Sequence, residues 1–541
     1  MLKKNRIQQQ IRPITVLFIS FLFIGCPGSK RDELQFLRNQ VDSLRSVVNN
    51  FIIEENLLKY NAYKDQKPYQ STILYKKYKN LFSQKDIDLI NSLLKLEQRP
   101  ERVDRLERLK VFIYRKIVDK HTSHISDEIE KYKNNLVYKT RKGEIKNYEL
   151  VDALSNEPNQ FRRKKIYDSA LDIYKEIKKL NEKLIEAQKK IILDSLRFNN
   201  FMQFSAMNQQ YDLVKFYNTV NNFIKSTDEV YFDLLYELQR INGFNSNKFY
   251  TYDIPRICKN TRLEKYFIKD SLLGIWQRTF SEMNFNLDSL KNDQVIINSN
   301  SHNTLPTKAF IINIPGKNIL FINPKNGSRE YGILFSETMK FLSSSSINSE
   351  FFEFKYLGSA TLDEIYSSTL NNLLDEPAWL KQTFNMSERN INYFTKLKAF
   401  EKLYSIRRLS FQYLVEFLTI DSSFNDQKNF DELFTSIMGI KPTETDYYSS
   451  YVTLGDYLNE INQIQGLFIE AMLKTKIRDK FGNFWFNSKQ LSGYLQDFWK
   501  EGKKITVDNF VQKLDYFEID PRFFINEVIS MRNYSKKKKL S

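Results

Sequence analysis

Glycine and proline are scarce, at 15 and 12 residues in a chain of 541, where globular proteins give them a joint share of roughly 12%. These are the residues that end helices and permit tight turns, so their scarcity leaves long unbroken stretches and constrains the chain to a mainly helical fold. Apolar residues recur three and four apart, as in Ala170-x-x-Ile173-Tyr174-x-x-Ile177 and Leu180-x-x-x-Leu184-Ile185. That spacing lines one face of an α-helix. The pattern runs from Tyr69 to Asn242-Gly243 and resumes near Tyr331. Between them, Ala309 to Ile322 has the one strand character in the chain. Two apolar runs there flank Pro315-Gly316-Lys317-Asn318, which predicts a β-hairpin. The serine run Ser343 to Ser346 reads as a loop. No repeat of 20 to 50 residues is visible.

The N-terminus points to a compartment. Lys3, Lys4, Arg6 and Arg12 form a positive segment without an acid, and Ile14 to Ile24 is almost wholly apolar. The run is shorter than the roughly 20 residues a helix needs to cross a bilayer, and fits the core of a secretory signal. Phe23-Ile24-Gly25-Cys26 then resembles a lipobox, with Phe23 in place of the usual leucine. Residues 1–25 are therefore expected to be a lipoprotein signal peptide, cut before Cys26, which carries acyl chains including palmitate. The expected location is the bacterial cell envelope, lipid-anchored on a periplasmic or surface face. Cys258 is the only other cysteine, so no disulfide framework exists.

The formal charge of +17 is largely local. Lys3, Lys4, Arg6 and Arg12 leave with the signal, and Arg532 with Lys536 to Lys539 makes a basic tail, residues 532–541. The remaining charges are intermixed, with no Arg/Lys stripe interleaved with aromatics, so nucleic-acid binding is not indicated. Residues 26–66 form a tether and helix. Within Asp32 to Leu58, Leu34, Leu37, Val41, Leu44, Val48 and Phe51 make a seam at three-four spacing. The seam is short for a coiled coil, and docking on the chain's own domain, residues 67–531, is favoured over pairing with a second chain.

Behind the hairpin, Tyr331-Gly332-Ile333-Leu334-Phe335-Ser336-Glu337-Thr338-Met339-Lys340 resembles the zinc helix of gluzincin peptidases of the thimet-oligopeptidase and angiotensin-converting-enzyme type. There the helix reads His-Glu-x-x-His, with two imidazoles one turn apart on zinc and the glutamate activating water. Glu364 follows Lys340 after 23 intervening residues, a spacing those peptidases use for their third ligand. Gly455-Asp456-Tyr457-Leu458 and Lys480 to Phe486 resemble the family's C-terminal helices, with Tyr457 nearest to its oxyanion-stabilising tyrosine. The resemblance implies an all-α fold of two helical halves around a cleft, with a small β-hairpin or edge sheet near 309–322.

The departures decide the functional expectation. Ser336 and Lys340 occupy the histidine positions, and a lysine ligates only after losing a proton held with a pKa of about 10.4. The chain has three histidines, His121, His124 and His302, none in zinc-helix register. Ser336, Glu337, Lys340, Glu364 and Tyr457 are thus expected to form a vestigial site, with Lys340 and Glu364 rewired into an ion pair. No catalytic residue, metal ligand or cofactor is expected, which makes the chain a pseudoenzyme. His121-x-x-His124 lacks a third ligand and reads as helix surface. Trp379, Trp485 and Trp499 read as core. The expected function is an inactive, membrane-anchored lipoprotein that binds a peptide or protein segment in its cleft or acts as a scaffold. The alternatives are a peptidase with a non-standard metal site or nucleophile, and a purely structural lipoprotein.

Cys26→Ser should abolish incorporation of labelled palmitate and release the chain from the membrane fraction. An unchanged membrane association, with a mass differing only by the substitution, would sink the anchor assignment.

Overall fold

The computed structural model describes residues 30–259, 261–285, 287, 294–298, 304–420 and 426–534. The expected signal segment with Cys26, His302 and Lys536 to Lys539 lie outside them. The principal helices, labelled in chain order, are α1 (Lys30–Lys64), α2 (Pro100–Asn134), α3 (Leu171–Lys190), α4 (Leu213–Ile241), α5 (Ser328–Ser345), α6 (Thr361–Asn371), α7 (Glu388–Ile420), α8 (Glu460–Phe481) and α9 (Arg522–Arg532). Among the described residues, no helix is long and apolar enough to cross a membrane.

The fold class is the mainly helical one expected from the sequence, and the predicted hairpin is present. β4 (Lys308–Asn313) pairs antiparallel with β5 (Lys317–Ile322). Three short strands were not anticipated. β3 (Gln294–Ile297) pairs parallel with β5, and β1 (Val137–Thr140) with β2 (Gly143–Lys146) makes a second hairpin. Each is four residues long, too short for period-two alternation to stand out from its surroundings. Ser343 to Ser345 also departs from expectation, because it continues α5, with Ser343 and Ser344 buried. Ser343 donates its hydroxyl to the Lys340 carbonyl one turn back, which lets a serine run stay helical.

The sheet is covered on both faces, as side-chain alternation along its strands requires. Ala309, Leu320 and Ile322 enter the core beneath α5, together with Leu334, Phe335 and Met339. Phe310, Ile312 and Ile319 point the other way and meet Ile53, Leu57, Tyr60 and Tyr63 of α1. The apolar seam of α1 docks on its own domain: Val41, Leu44, Val48 and Phe51 are buried with Ile87, Ile90, Leu109 and Ile113. Ion pairs from Arg38 to Glu97 at 2.8 Å and from Arg45 to Glu353 at 2.6 Å hold its outer turns. One helix thereby joins the N-terminal helical layer to the sheet.

A second core unites α4, α7, α8 and α9 through Phe223, Leu234, Phe400, Phe468 and Phe524. Its junction with the first core carries a buried charge network. Lys474 pairs with Glu527 at 2.6 Å and Glu376 at 3.1 Å, while Lys402 pairs with Asp375 and Glu527, both at 3.0 Å. Burial alone would raise the Glu527 carboxyl, but Lys402, Lys474 and Arg478 outweigh it and hold it well below the usual range. Trp379, Trp485 and Trp499 are core residues, as the sequence suggested.

Removing one member of such a network leaves an uncompensated buried charge, so Lys474→Met should destabilise the chain by about 3–5 kcal/mol. Denaturant unfolding followed by circular dichroism measures this. A loss below about 1 kcal/mol, the level of exposed pairs, would show that the network is not the closed one described.

Candidate functional site

α5 is fixed from below by buried contacts. Trp276 donates from its indole nitrogen to the Thr338 hydroxyl at 2.9 Å, and Tyr331 donates to the Ile268 carbonyl at 2.8 Å. With Leu334, Phe335, Thr338 and Met339 buried, the partly open residues of its central turns, Tyr331 to Lys340, are Ile333, Ser336, Glu337 and Lys340. They form one stripe along the helix, at the three-four spacing of a single face. On α6 the partly open residues are Asp363, Glu364, Ser367 and Ser368. The two helices pack against each other, and Glu364 interacts electrostatically with Lys340 and Glu337. Four of the five residues singled out in the sequence are therefore neighbours.

The close ion pair expected between two of them is not formed. Among the described residues, no Lys340–Glu364 contact lies within 4.0 Å. Burial, followed by the adjacent Asp363, pushes the Glu364 carboxyl up, and Lys340 offsets this only from a distance. Asp363 instead takes a lysine of its own, Lys503 at 2.6 Å. Glu337 also has a different role from the one its position suggests. Its Oε2 accepts a hydrogen bond of 2.8 Å from the Ala309 backbone N–H on strand β4. The carboxylate thus caps the edge of the sheet.

Tyr457 is elsewhere. It lies in a turn where Gly455, Tyr457 and Leu458 all have left-handed backbone, with φ of 92°, 56° and 63°. Its hydroxyl donates to Asp119 at 3.2 Å and accepts from Gln188 at 3.3 Å. Burial and Asp119 push the phenol well above its ordinary range. A cavity of about 530 Å³ opens beside it, lined by α1, α2 and α3. Ser336, Glu337, Lys340 and Glu364 do not line this cavity, but Lys59 and Tyr356 do. Tyr356 accepts from the Ile314 N–H at 2.7 Å and donates to the Asn313 side chain at 3.3 Å. The cavity wall therefore adjoins the end of β4.

The charges in the cavity are mostly paired. Lys116 holds Glu55 at 2.8 Å and Arg115 holds Asp456 at 2.7 Å. Burial would raise Glu55, yet Lys116 and Lys59 bring it down to about 2. The turn itself rests on two buried acids that the sequence did not reveal. Glu416 accepts from the Gly455 and Leu458 N–H groups at 3.2 and 3.3 Å. Glu460 lies beside it and interacts with it directly. Burial raises both, with Glu460 and Asp456 adding to the rise of Glu416 and Asp456 to that of Glu460, which reaches about 7. They stand 44 residues apart with no motif around either, so only the folded chain brings them together.

The residues at the α5–α6 face do not fit a zinc ion. A serine and a lysine stand where the resembled zinc helix has its two imidazoles, and one oxygen of the intervening carboxylate is taken by a backbone N–H. Among the described residues, no group of three or more His, Cys, Asp or Glu side chains is placed to hold a metal. His121 and His124 lie exposed on α2, as expected of surface.

No protein-family model matches this chain, and no curated protein matches it in sequence. In structure it is similar to an M32 carboxypeptidase from Deinococcus radiodurans R1, with a TM-score of 0.61 and 9% identity over 92% of this chain and 100% of that one. It is also similar to Pyrococcus furiosus carboxypeptidase (Apo-Mg), with a TM-score of 0.56 and 11% identity over 94% and 99% of the two chains. At this identity the likeness establishes a peptidase-like helical fold across nearly the whole chain.

The Glu416–Glu460 pair gives the turn a pH dependence. Glu460 rises from an ordinary 4.5 to about 7 in the folded chain, so the folded state holds its proton more tightly than the unfolded state. The contribution of Glu460 to stability is fully present below pH 4.5 and is lost as pH rises through about 7. Glu460→Gln, uncharged at every pH, should flatten the fall in unfolding free energy across that window. Identical pH profiles for the two proteins would refute the assignment.

Proposed function

We propose that this chain is a lipid-anchored protein of the bacterial cell envelope whose peptidase-like cleft binds a peptide or protein segment without hydrolysing it. The observation that carries this reading is the state of Glu337, the one residue left of the His-Glu-x-x-His pattern. Its carboxylate accepts from the Ala309 N–H, while Ser336 and Lys340 flank it on the same helix face. A glutamate so engaged, with no Lewis acid beside it, leaves water a poor nucleophile. A cavity of about 530 Å³ is open beside the β4 end, near the α5–α6 residues but not lined by them. An open cavity of this size, lined by polar and apolar surface alike, suits a bound segment better than a purely structural role. The structural likeness to carboxypeptidases supports a polypeptide as the occupant, and the gluzincin-like pattern of α5 and α6 supports descent from a metal-dependent ancestor. The anchor rests on Cys26 and the segment before it.

The test uses the full chain carrying Cys26→Ser, stripped of adventitious ions. It should hold no stoichiometric zinc by elemental analysis and should cleave no peptide in a chelator-sensitive way. Ser336→His combined with Lys340→His should restore measurable zinc affinity, with Glu364 as third ligand. Chelator-sensitive cleavage by the unsubstituted cleft, absent in Glu337→Gln, would overturn the inactive reading in favour of a peptidase.

A further inference from the structure

We infer that the end of the molecule nearest Cys26 docks on the anionic lipid surface that holds the anchor, so that α1 stands away from the bilayer and carries the cavity clear of it. The inference rests on the lipid-anchor reading above and gives it an orientation. Cys26 stands four positions before Lys30, where α1 begins. Four residues span at most about 14 Å, so an acylated Cys26 keeps the first turns of α1 at the headgroups. α2 shares that end. Arg38 of α1 pairs at 2.8 Å with Glu97, three residues before Pro100 opens α2. Further on, Arg45 and Arg105 meet on Glu353 at 2.6 and 3.3 Å, and Glu55 meets Lys116 at 2.8 Å. The two helices therefore run in the same direction, away from the anchor.

The face at this end suits anionic headgroups. Lys30, Arg31, Lys95 and Arg99 are exposed, and none has a carboxylate within 4.0 Å among the described residues. Two of its acids are already held. Glu97 is shared by Arg38 and Arg102, at 2.8 and 3.7 Å, and Glu101 pairs with Lys504 at 3.0 Å. Asp32 and Glu33 offset two of the four cations, which leaves the face positive. Each Lys or Arg within a Debye length of an anionic bilayer strengthens association with it. Phe36 belongs to the same turns of α1 and is 60% exposed, an apolar ring placed where the headgroup boundary would receive it. Glu55 and Lys116, which line the cavity, lie roughly 25 to 40 Å along α1 and α2 from the docked end, at 1.5 Å per residue. An occupant therefore reaches the cavity from water and not from the lipid. Phe161 lies beyond the far end of α2, where the Lys139 N–H of β1 donates to Ser169 after the short helix Gln160–Asp168.

The experiment has two arms. In the first, the chain from residue 26 carrying Cys26→Ser, and so without an acyl group, is sedimented with vesicles of mixed phosphatidylcholine and phosphatidylglycerol. It should bind them, leave them at high salt, and ignore vesicles of phosphatidylcholine alone. Arg31→Gln, Lys95→Gln and Arg99→Gln together should weaken binding at least about tenfold. Glutamine at each of Lys536 to Lys539 should weaken it less. Binding that survives the first three substitutions and is lost with the tail charges would overturn the docking face, as would equal binding to both kinds of vesicle or binding to neither. In the second arm, the acylated chain is reconstituted in the mixed vesicles with a nitroxide on the headgroups, and Phe36→Trp or Phe161→Trp supplies the probe. Both positions are exposed, at 60% and 64%, while the four native tryptophans are buried. The emission added by Phe36→Trp should be quenched and that added by Phe161→Trp should not. Equal quenching at the two positions would overturn the orientation. Failure of the chain to acquire an acyl group would instead overturn the anchor reading, and the first arm is read without it.

Discussion

The arrangement of the cleft depends on how closely three helices approach one another without side chains between them. At Gly466 of α8, a Cβ atom would fall 2.5 Å from the Cβ of Glu364 on α6. At Gly332 of α5, it would fall 2.4 Å from the side-chain oxygen of Asn371, at the end of α6. Neither glycine needs unusual backbone, and both serve by the absence of a side chain. α6 is held between α5 and α8 by these two contacts, which fixes where its partly open face points. Glu364 is therefore placed by backbone packing and needs no partner to keep its position. That is how the carboxyl comes to lie near Lys340 without closing an ion pair.

The stability of this arrangement comes from two kinds of buried contact. Apolar packing dominates, with aromatic residues such as Phe335, Trp379 and Phe384 meeting edge to face. Buried charges then fix which elements meet. The Arg108 guanidinium donates to the Leu357 and Lys503 carbonyls at 3.0 and 2.7 Å, pinning α2 to segments 249 and 395 residues further along the chain. Gly358 permits that approach, since a Cβ there would lie 2.9 Å from the Arg108 side chain. Guanidinium suits such a junction because its several donors satisfy separate acceptors at once.

The two acids at the Tyr457 turn solve a problem of charge. Carboxylates placed together in a dry site keep a proton to limit repulsion. The pair thereby supports a turn with left-handed, non-glycine residues at Tyr457 and Leu458. The cavity is bounded by Tyr457 at one side and adjoins β4 at the other.

The sequence by itself determined the helical class, the hairpin, the docking seam of α1 and the neighbourhood of Ser336, Glu337, Lys340 and Glu364. All of these rest on short-range patterns: breaker scarcity, three-four spacing, two apolar runs around a turn, and a fixed interval between two helices. Only the tertiary structure decided that Glu337 turns to the Ala309 N–H, that Lys340 stands clear of Glu364, and that Tyr457 belongs to a separate wall. It also brought Glu416 to Glu460. The reason is physical. A residue's spacing fixes the face on which it lies, but its partner is chosen by how far neighbouring backbones approach and which polar groups reach it first. Those distances depend on contacts among residues hundreds of positions apart, as at Gly466 and Arg108, and no local pattern records them.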